Sequence, residues 1–309
     1  MMMSLDKSAW IAAGSLLIAS IVAGSILSKK INSTNPFTDR GLLQKGASLP
    51  PLWLFYDEDD VNDRGWADFG ARSSHALNVP YLNLAYEAIV RHNSDNYRIE
   101  VINGVTGLAE LLGWDAIPAT IKSRQRIMTA REANWARAAI LARFGGLWLE
   151  SSSLCVRGFG PLPANKIIFF GTDLDEAVVG AGGTRIPGMR AIWAGKAGNP
   201  VFNAWAANAA GSATDEKTSY LMYAEGADDV IVNVEGECGR GPAQKRIEID
   251  ELLGTSDDGR LPFAVSSGAV FVPMPWKELI LRRSLEWFLT MTEKDIMESD
   301  LVVRWLLEA

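Results

Sequence analysis

The sequence predicts an α/β fold: a mostly parallel sheet flanked by helices, held to a membrane by one N-terminal transmembrane helix. Three observations lead there. Short apolar runs of strand length alternate with stretches of helical period along residues 51–210, the order that builds a parallel sheet covered on both faces. With 48% hydrophobic and 22% charged residues among 309, the chain can fill a sizeable core. The run from Ser8 to Ser28 carries no charge, and roughly 20 helical residues span the about 30 Å of a bilayer core.

Residues 1–30 therefore read as a membrane anchor with a short flank. A cleaved signal peptide is the rival reading, but the apolar run is longer than the usual h-region and the preceding segment is only weakly basic. Lys29 and Lys30 after the run compete with Lys7 and the α-amino group before it, so the side of the membrane stays open. Residues 31–50 are turn-rich and suit a stalk. Residues 51–309 contain no repeat and no long linker, and are expected to form one domain.

Within that domain Leu52–Tyr56 is a continuous apolar run between Pro51 and the acidic stretch Asp57–Asp60, as in a buried strand that empties into a polar loop. Tyr81–His92 has a helical period, and HNSDN ends it before a strand at Tyr97–Ile102. A short helix follows at Thr106–Leu112, with Thr106 as its expected cap. Ala130–Phe144 is rich in Ala, Arg and Glu and stops at Gly145–Gly146, where a helix end favours positive φ. Leu147–Leu149, Lys166–Phe170 and Arg190–Ala194 read as strands and Pro200–Ala210 as a helix. The C-terminal segment from Pro275 reads as two amphipathic helices broken near Thr292. These are expected to pack on the sheet; contact with the membrane through Arg282 and Arg283 is the alternative.

Charge and composition close several functional classes. A net charge of -7 without a basic stripe gives no electrostatic support for a nucleic-acid partner. His75 and His92 lack neighbours at zinc spacing. Two cysteines, Cys155 and Cys238, cannot make a disulfide framework, although one bridge between them would suit an extracytoplasmic binding module. Gly180–Gly183 lacks the strand-to-helix setting of a dinucleotide loop and reads as a loop on the acceptor side.

The chemistry concentrates in Ala133–Arg157, ANWARAAILARFGGLWLESSSLCVR. Asn134 and Arg137 lie three apart on one helical face, and the glycine pair turns the chain into a strand whose end presents Glu150 and Ser152. In parallel sheets ligands bind beyond such carboxyl ends, which points to Asp57–Asp60 and Glu150–Ser153. This stretch resembles the GT-A glycosyltransferase families that include capsular polysaccharide synthesis proteins, α-1,6-mannosyltransferases and toxin-type glycosyltransferases. Their pattern is an Asp-x-x-Arg helix, Gly-Gly, an apolar pair around Trp or Tyr, and an Asp-x-Asp or Asp-Ala-Thr end. The likeness extends loosely to Pro51–Leu52–Trp53 with Tyr56 and to the helix ending in Arg91–His92–Asn93, and so spans Pro50 to about Ala210.

The resemblance implies a nucleotide-sugar donor, more specifically a UDP-linked one, a glycan or glycolipid acceptor, and Mn²⁺ or Mg²⁺ on the diphosphate. By position, Glu150 would be the acidic metal-site residue and Ser152 a lesser ligand. Arg137 would clamp phosphate or sugar hydroxyls, Asn134 would bond the donor sugar, Trp53 and Tyr56 would form a platform near the base, and Asp57 would lie on the donor side. The pattern is degenerate here: Glu150 replaces Asp, Ser152 replaces the second acid, and Asn134 replaces the helix Asp. An extra methylene displaces the carboxylate, and a shift of about 1 Å can cost on the order of a hundredfold in rate. A non-catalytic structural or scaffolding relative is therefore the rival function. Asp173 and Asp175 offer a substitute Asp-x-Asp after KIIFF, against the plainer reading of a solvated loop.

Overall fold

The computed structural model describes residues 49–57, 80–123, 128–170, 178–179, 185–186, 191–210, 230–233, 249–256, 269–274, 279 and 282–309. The expected anchor and nearly all of the stalk, Asp173, Asp175, Cys238 and the Gly180–Gly183 loop lie outside the described residues. Among the described residues no helix is long and apolar enough to cross a membrane.

The fold is mixed α/β, built on a six-stranded, mostly parallel sheet. Strands β1 (Pro51–Tyr56), β2 (Arg98–Asn103), β3 (Gly146–Glu150), β5 (Ile167–Phe170), β8 (Ala191–Ala194) and β9 (Val230–Asn233) assemble in the order β2-β1-β3-β8-β5-β9. Only β8 runs antiparallel, pairing with β3 on one side and β5 on the other. β1 is central to the first half, with Tyr56 opposite Asn103 of β2 and Phe55 opposite Glu150 of β3. Two small antiparallel ladders complete the strands: β4 (Ser153–Cys155) with β10 (Phe271–Pro273), and β6 (Val178–Val179) with β7 (Arg185–Ile186).

Period-two alternation splits β1 between two cores. Leu52, Leu54 and Tyr56 face helix α1 (Pro80–Asn93) and the C-terminal helices α7 (Glu286–Thr290), α8 (Glu293–Glu298) and α9 (Val302–Glu308). Trp53 and Phe55 face α2 (Gly104–Leu112), α4 (Ala130–Phe144) and α5 (Pro200–Ala210). Both faces are thus covered, which explains why β1 is a continuous apolar run rather than an alternating one. Short helices α3 (Ala119–Lys122) and α6 (Ile249–Leu252) fill connections.

The turn from α4 into β3 is the tightest point of the fold. Gly145 and Gly146 have φ of 66° and 94°. A Cβ on Gly146 would lie 2.4 Å from the Pro51 carbonyl oxygen, a distance no side chain tolerates. The Gly145 carbonyl also accepts the Trp53 indole N–H at 2.8 Å, locking the turn to the first strand. At the same end of the sheet Asn93, fully buried, donates to the Ile89 carbonyl at 2.9 Å and accepts the Phe159 N–H at 3.0 Å.

Two expectations change. Thr106 is not the cap of α2: the strand β2 passes straight into the helix at Gly104, whose φ of 56° makes the bend, so Asn103 occupies the cap position without a side-chain cap bond. The C-terminal segment holds three short α-helices among its described residues, and the break falls at Thr292 as read, because Thr292 and Asp295 form a capping box that starts α8. These helices pack on α1 and the β4–β10 ladder.

Candidate functional site at the carboxyl ends of the strands

The chain leaves β1, adds β2 on one side, and then adds β3 on the other. Neighbouring loops diverge at such a reversal and leave a crevice beyond the strand ends. The residues at the strand ends there are Asn103, Asp57 and Glu150, and β5 ends at Phe170 on the same side. Asp173 and Asp175 follow Phe170 in sequence.

Asp57 is buried, and its Oδ2 accepts the Met128 N–H at 3.3 Å. Met128 directly precedes Thr129, the cap of α4, so the carboxylate sits by the positive end of a 15-residue helix. The helix start itself is closed by a capping box: Thr129 N–H and Oγ1 donate to Glu132 Oε2, and Glu132 N–H donates to Thr129 Oγ1. Glu132 is therefore engaged at the cap.

Glu150 is half-buried at the end of β3. At roughly 3.3 Å per strand residue and 1.5 Å per helical residue, its height above the Gly145–Gly146 turn corresponds to about nine residues back along α4 from Phe144. That level falls between Asn134 and Arg137, both half-buried. Arg137 Nε donates to the Ala133 carbonyl at 3.4 Å. Because α4 packs along β3, Asn134 and Arg137 lie at about the level of Glu150.

The proposed base platform is corrected. Trp53 is 3% exposed, with its indole N–H spent on Gly145 and its ring 5.5 Å from Phe144. Tyr56 is 1% exposed, and burial first, then the nearby Tyr86 and Tyr81 phenols, pushes its own phenol well above the ordinary range. Both rings are core residues, because helices cover each face of β1 along its length. Ser152 is also buried, and its carbonyl accepts the Met274 N–H at 3.1 Å beside the β4–β10 ladder.

Asn103 is the residue the sequence reading missed. Its Oδ1 is buried without a hydrogen-bond partner at the end of β2, opposite Tyr56. An Asn-Gly pair at a strand end was the available signal. Among the described residues no three His, Cys, Asp or Glu side chains converge. Glu150 and Asp57 are hard oxygen donors, and Mg²⁺ commonly uses one or two carboxylates with the substrate's phosphates, so this donor chemistry fits such an ion. Cys155 is a free buried thiol whose pKa burial pushes up to about 12, with Asn93 Nδ2 3.9 Å from its sulfur. No protein-family model matches the sequence, and no curated protein matches it.

Proposed function

We propose that the protein is a membrane-anchored glycosyltransferase of GT-A type, moving a sugar from a nucleotide-sugar donor, UDP-linked, to a glycan or glycolipid acceptor. The observation that carries this reading is the placement of Asp57 and Glu150 at adjacent strand ends at the reversal point of the sheet, with Asn103 ending the next strand and Asn134 and Arg137 at about the level of Glu150. A sugar diphosphate needs cationic or N–H donors for phosphate and oxygen donors for its metal, and Arg137 and Asn134 with Glu150 and Asp57 are residues of those two kinds.

In this reading Glu150 holds Mn²⁺ or Mg²⁺, which would neutralise charge on the departing diphosphate. Arg137 holds phosphate oxygens, Asn134 bonds a donor-sugar hydroxyl, and Asn103 accepts an N–H or O–H from the nucleoside. Asp57 is held by the Met128 N–H and would orient groups that enter above β1. The apolar run at Ser8–Ser28 supplies the anchor and keeps the site close to a membrane-borne acceptor. A role in capsular or other surface polysaccharide synthesis is part of the same proposal.

A second reading, a structural or scaffolding protein on this fold, draws on the missing acids at Ser152 and Asn134. Calorimetry of the full chain in detergent with UDP and UDP-sugars, with and without Mn²⁺, separates the two. Metal-dependent binding that is lost in Glu150→Ala supports the transferase. A folded protein that binds none of them overturns it in favour of the scaffold.

A further inference from the structure

Helix α4 is fastened at both ends, and the two fastenings differ in kind. Its C-terminal end passes through Gly145 and Gly146 into β3 against Pro51, a backbone contact with no room for a side chain. Its start is held by a side chain from another element. Asp57, directly after β1 and 4% exposed, accepts the Met128 N–H on Oδ2 at 3.3 Å, across 71 residues of chain. A buried backbone N–H ahead of a helix cap needs such an acceptor. Met128 is itself buried in the apolar cluster that includes Ile117, Ile121 and Trp135, so the tie begins from a packed point. In the first turn of α4, Arg131 Nε and Nη2 donate to the Ala209 and Asn208 carbonyls of α5 at 2.9 and 3.0 Å.

From Met128 onward the chain is continuous helix as far as the candidate site. The capping box of Thr129 and Glu132 closes the first turn, and α4 runs unbroken to Phe144. Asn134 and Arg137 therefore move with the helix start. With the glycine turn as the fixed end, a shift of the first turn carries Asn134 by about two-thirds of its size and Arg137 by about half, since the rise per residue is constant. A misplacement of about 1 Å can cost on the order of a hundredfold in rate, so a shift of that order at the start of α4 would be felt beside Glu150. A buried carboxylate is costly unless it is hydrogen-bonded, and the presence of one after β1 is explained by the N–H it holds rather than by packing.

We infer that Asp57 is a positioning residue: its carboxylate ties the start of α4 to the end of β1 and so fixes the placement of Asn134 and Arg137 beside Glu150. The effect on donor binding rests on the glycosyltransferase reading. The tie between the two elements does not.

The test uses full-length protein in detergent micelles and compares wild type, Asp57→Ala, Asp57→Asn and Asn93→Ala. Two quantities are read: amide hydrogen exchange over residues 128–137, and calorimetric affinity for UDP-glucose, UDP-galactose and UDP-N-acetylglucosamine, each with Mn²⁺. In Asp57→Ala, exchange at the start of α4 should quicken about tenfold and affinity for the sugars that wild type binds should fall about tenfold. Asp57→Asn keeps an oxygen that accepts the Met128 N–H, so both quantities should stay within about threefold of wild type. Asn93→Ala weakens the other end of the sheet and should move neither, which separates positioning from a general loss of stability. Should Asp57→Ala fail to fold, Asp57→Ser replaces it, its shorter side chain falling short of the N–H. Unchanged exchange in Asp57→Ala overturns the inference, and so does quickened exchange with donor affinity intact. An Asp57→Asn variant that loses affinity as fully as Asp57→Ala also overturns it, because the carboxylate would then act by its charge on metal or donor. If wild type binds none of the three sugars, the transferase reading loses its donor and exchange alone decides the tie: quickening in Asp57→Ala upholds it and equality overturns it.

Discussion

The two ends of the central sheet obey different rules. At the amino end, Gly145 and Gly146 turn α4 into β3 against Pro51, the Trp53 indole is paired with Gly145, and Asn93 accepts the Phe159 N–H while donating to the Ile89 carbonyl of its own helix. At the carboxyl end, buried oxygens stand without hydrogen-bond partners: Asn103 Oδ1 at the end of β2, Ser153 Oγ just past β3, and Asn83 Oδ1 in the first turn of α1. Burying an oxygen without a partner costs stability. The difference teaches that the amino end is fastened by close packing and paired groups, while the carboxyl end keeps oxygens with unused hydrogen-bonding capacity.

The largest test of that contrast is Gly146→Ala. The new Cβ would meet the Pro51 backbone oxygen in a left-handed conformation, and the expected loss is about 3 kcal/mol or more, read by urea unfolding. A loss under about 1 kcal/mol would mean the turn relaxes easily and the contrast is false. Asn93→Ala comes next. It strands the Phe159 N–H and is expected to cost about 2 kcal/mol in the same assay.

At the other end the expectation reverses. Asn103→Ala removes a buried oxygen that has no partner, so stability should change by no more than about 1 kcal/mol, while UDP-sugar affinity falls about three- to tenfold. An unfolding penalty as large as that of Asn93→Ala would place Asn103 among the structural residues.

The smallest effect concerns Glu87 on α1. Burial, then the Glu293 carboxylate, raises its pKa, partly offset by Arg91, while Asn83 Nδ2 holds Glu293 at 3.0 Å. A carboxyl whose folded pKa exceeds its unfolded value binds its proton more tightly when folded. Its contribution is therefore fully present at low pH and lost as pH rises through the folded value, above the ordinary Glu range. Between about pH 4 and pH 7, wild type should lose stability relative to Glu87→Gln. A constant difference across that range would show that Glu87 and Glu293 do not sense each other.

Much of the fold was legible because its signals are local. The helix Ala130–Phe144 and its stop at two glycines follow from composition and from the φ that glycine alone takes freely. The strand Pro51–Tyr56 and helix Pro200–Ala210 follow from apolar runs and from proline at a helix start. The capping pattern Thr129-x-x-Glu132 that opens this helix is equally local, since both partners lie within one turn. The ladder of β4 with β10 was not readable, since its halves lie more than a hundred residues apart and each is three residues long.

The candidate site divides the same way. By itself the sequence determined which residues stand at strand ends: Asp57 after an apolar run and Glu150 after Gly-Gly-Leu-Trp-Leu, because period and turn chemistry act over a few residues. Only the tertiary structure decided that β8 runs antiparallel, that Trp53 and Tyr56 are core side chains, that Asp57 meets the start of α4, and that Asn103 ends β2 with a buried unpaired oxygen. The physical reason is that burial and partnering depend on which element covers a side chain, and that is set by packing between segments far apart in the chain.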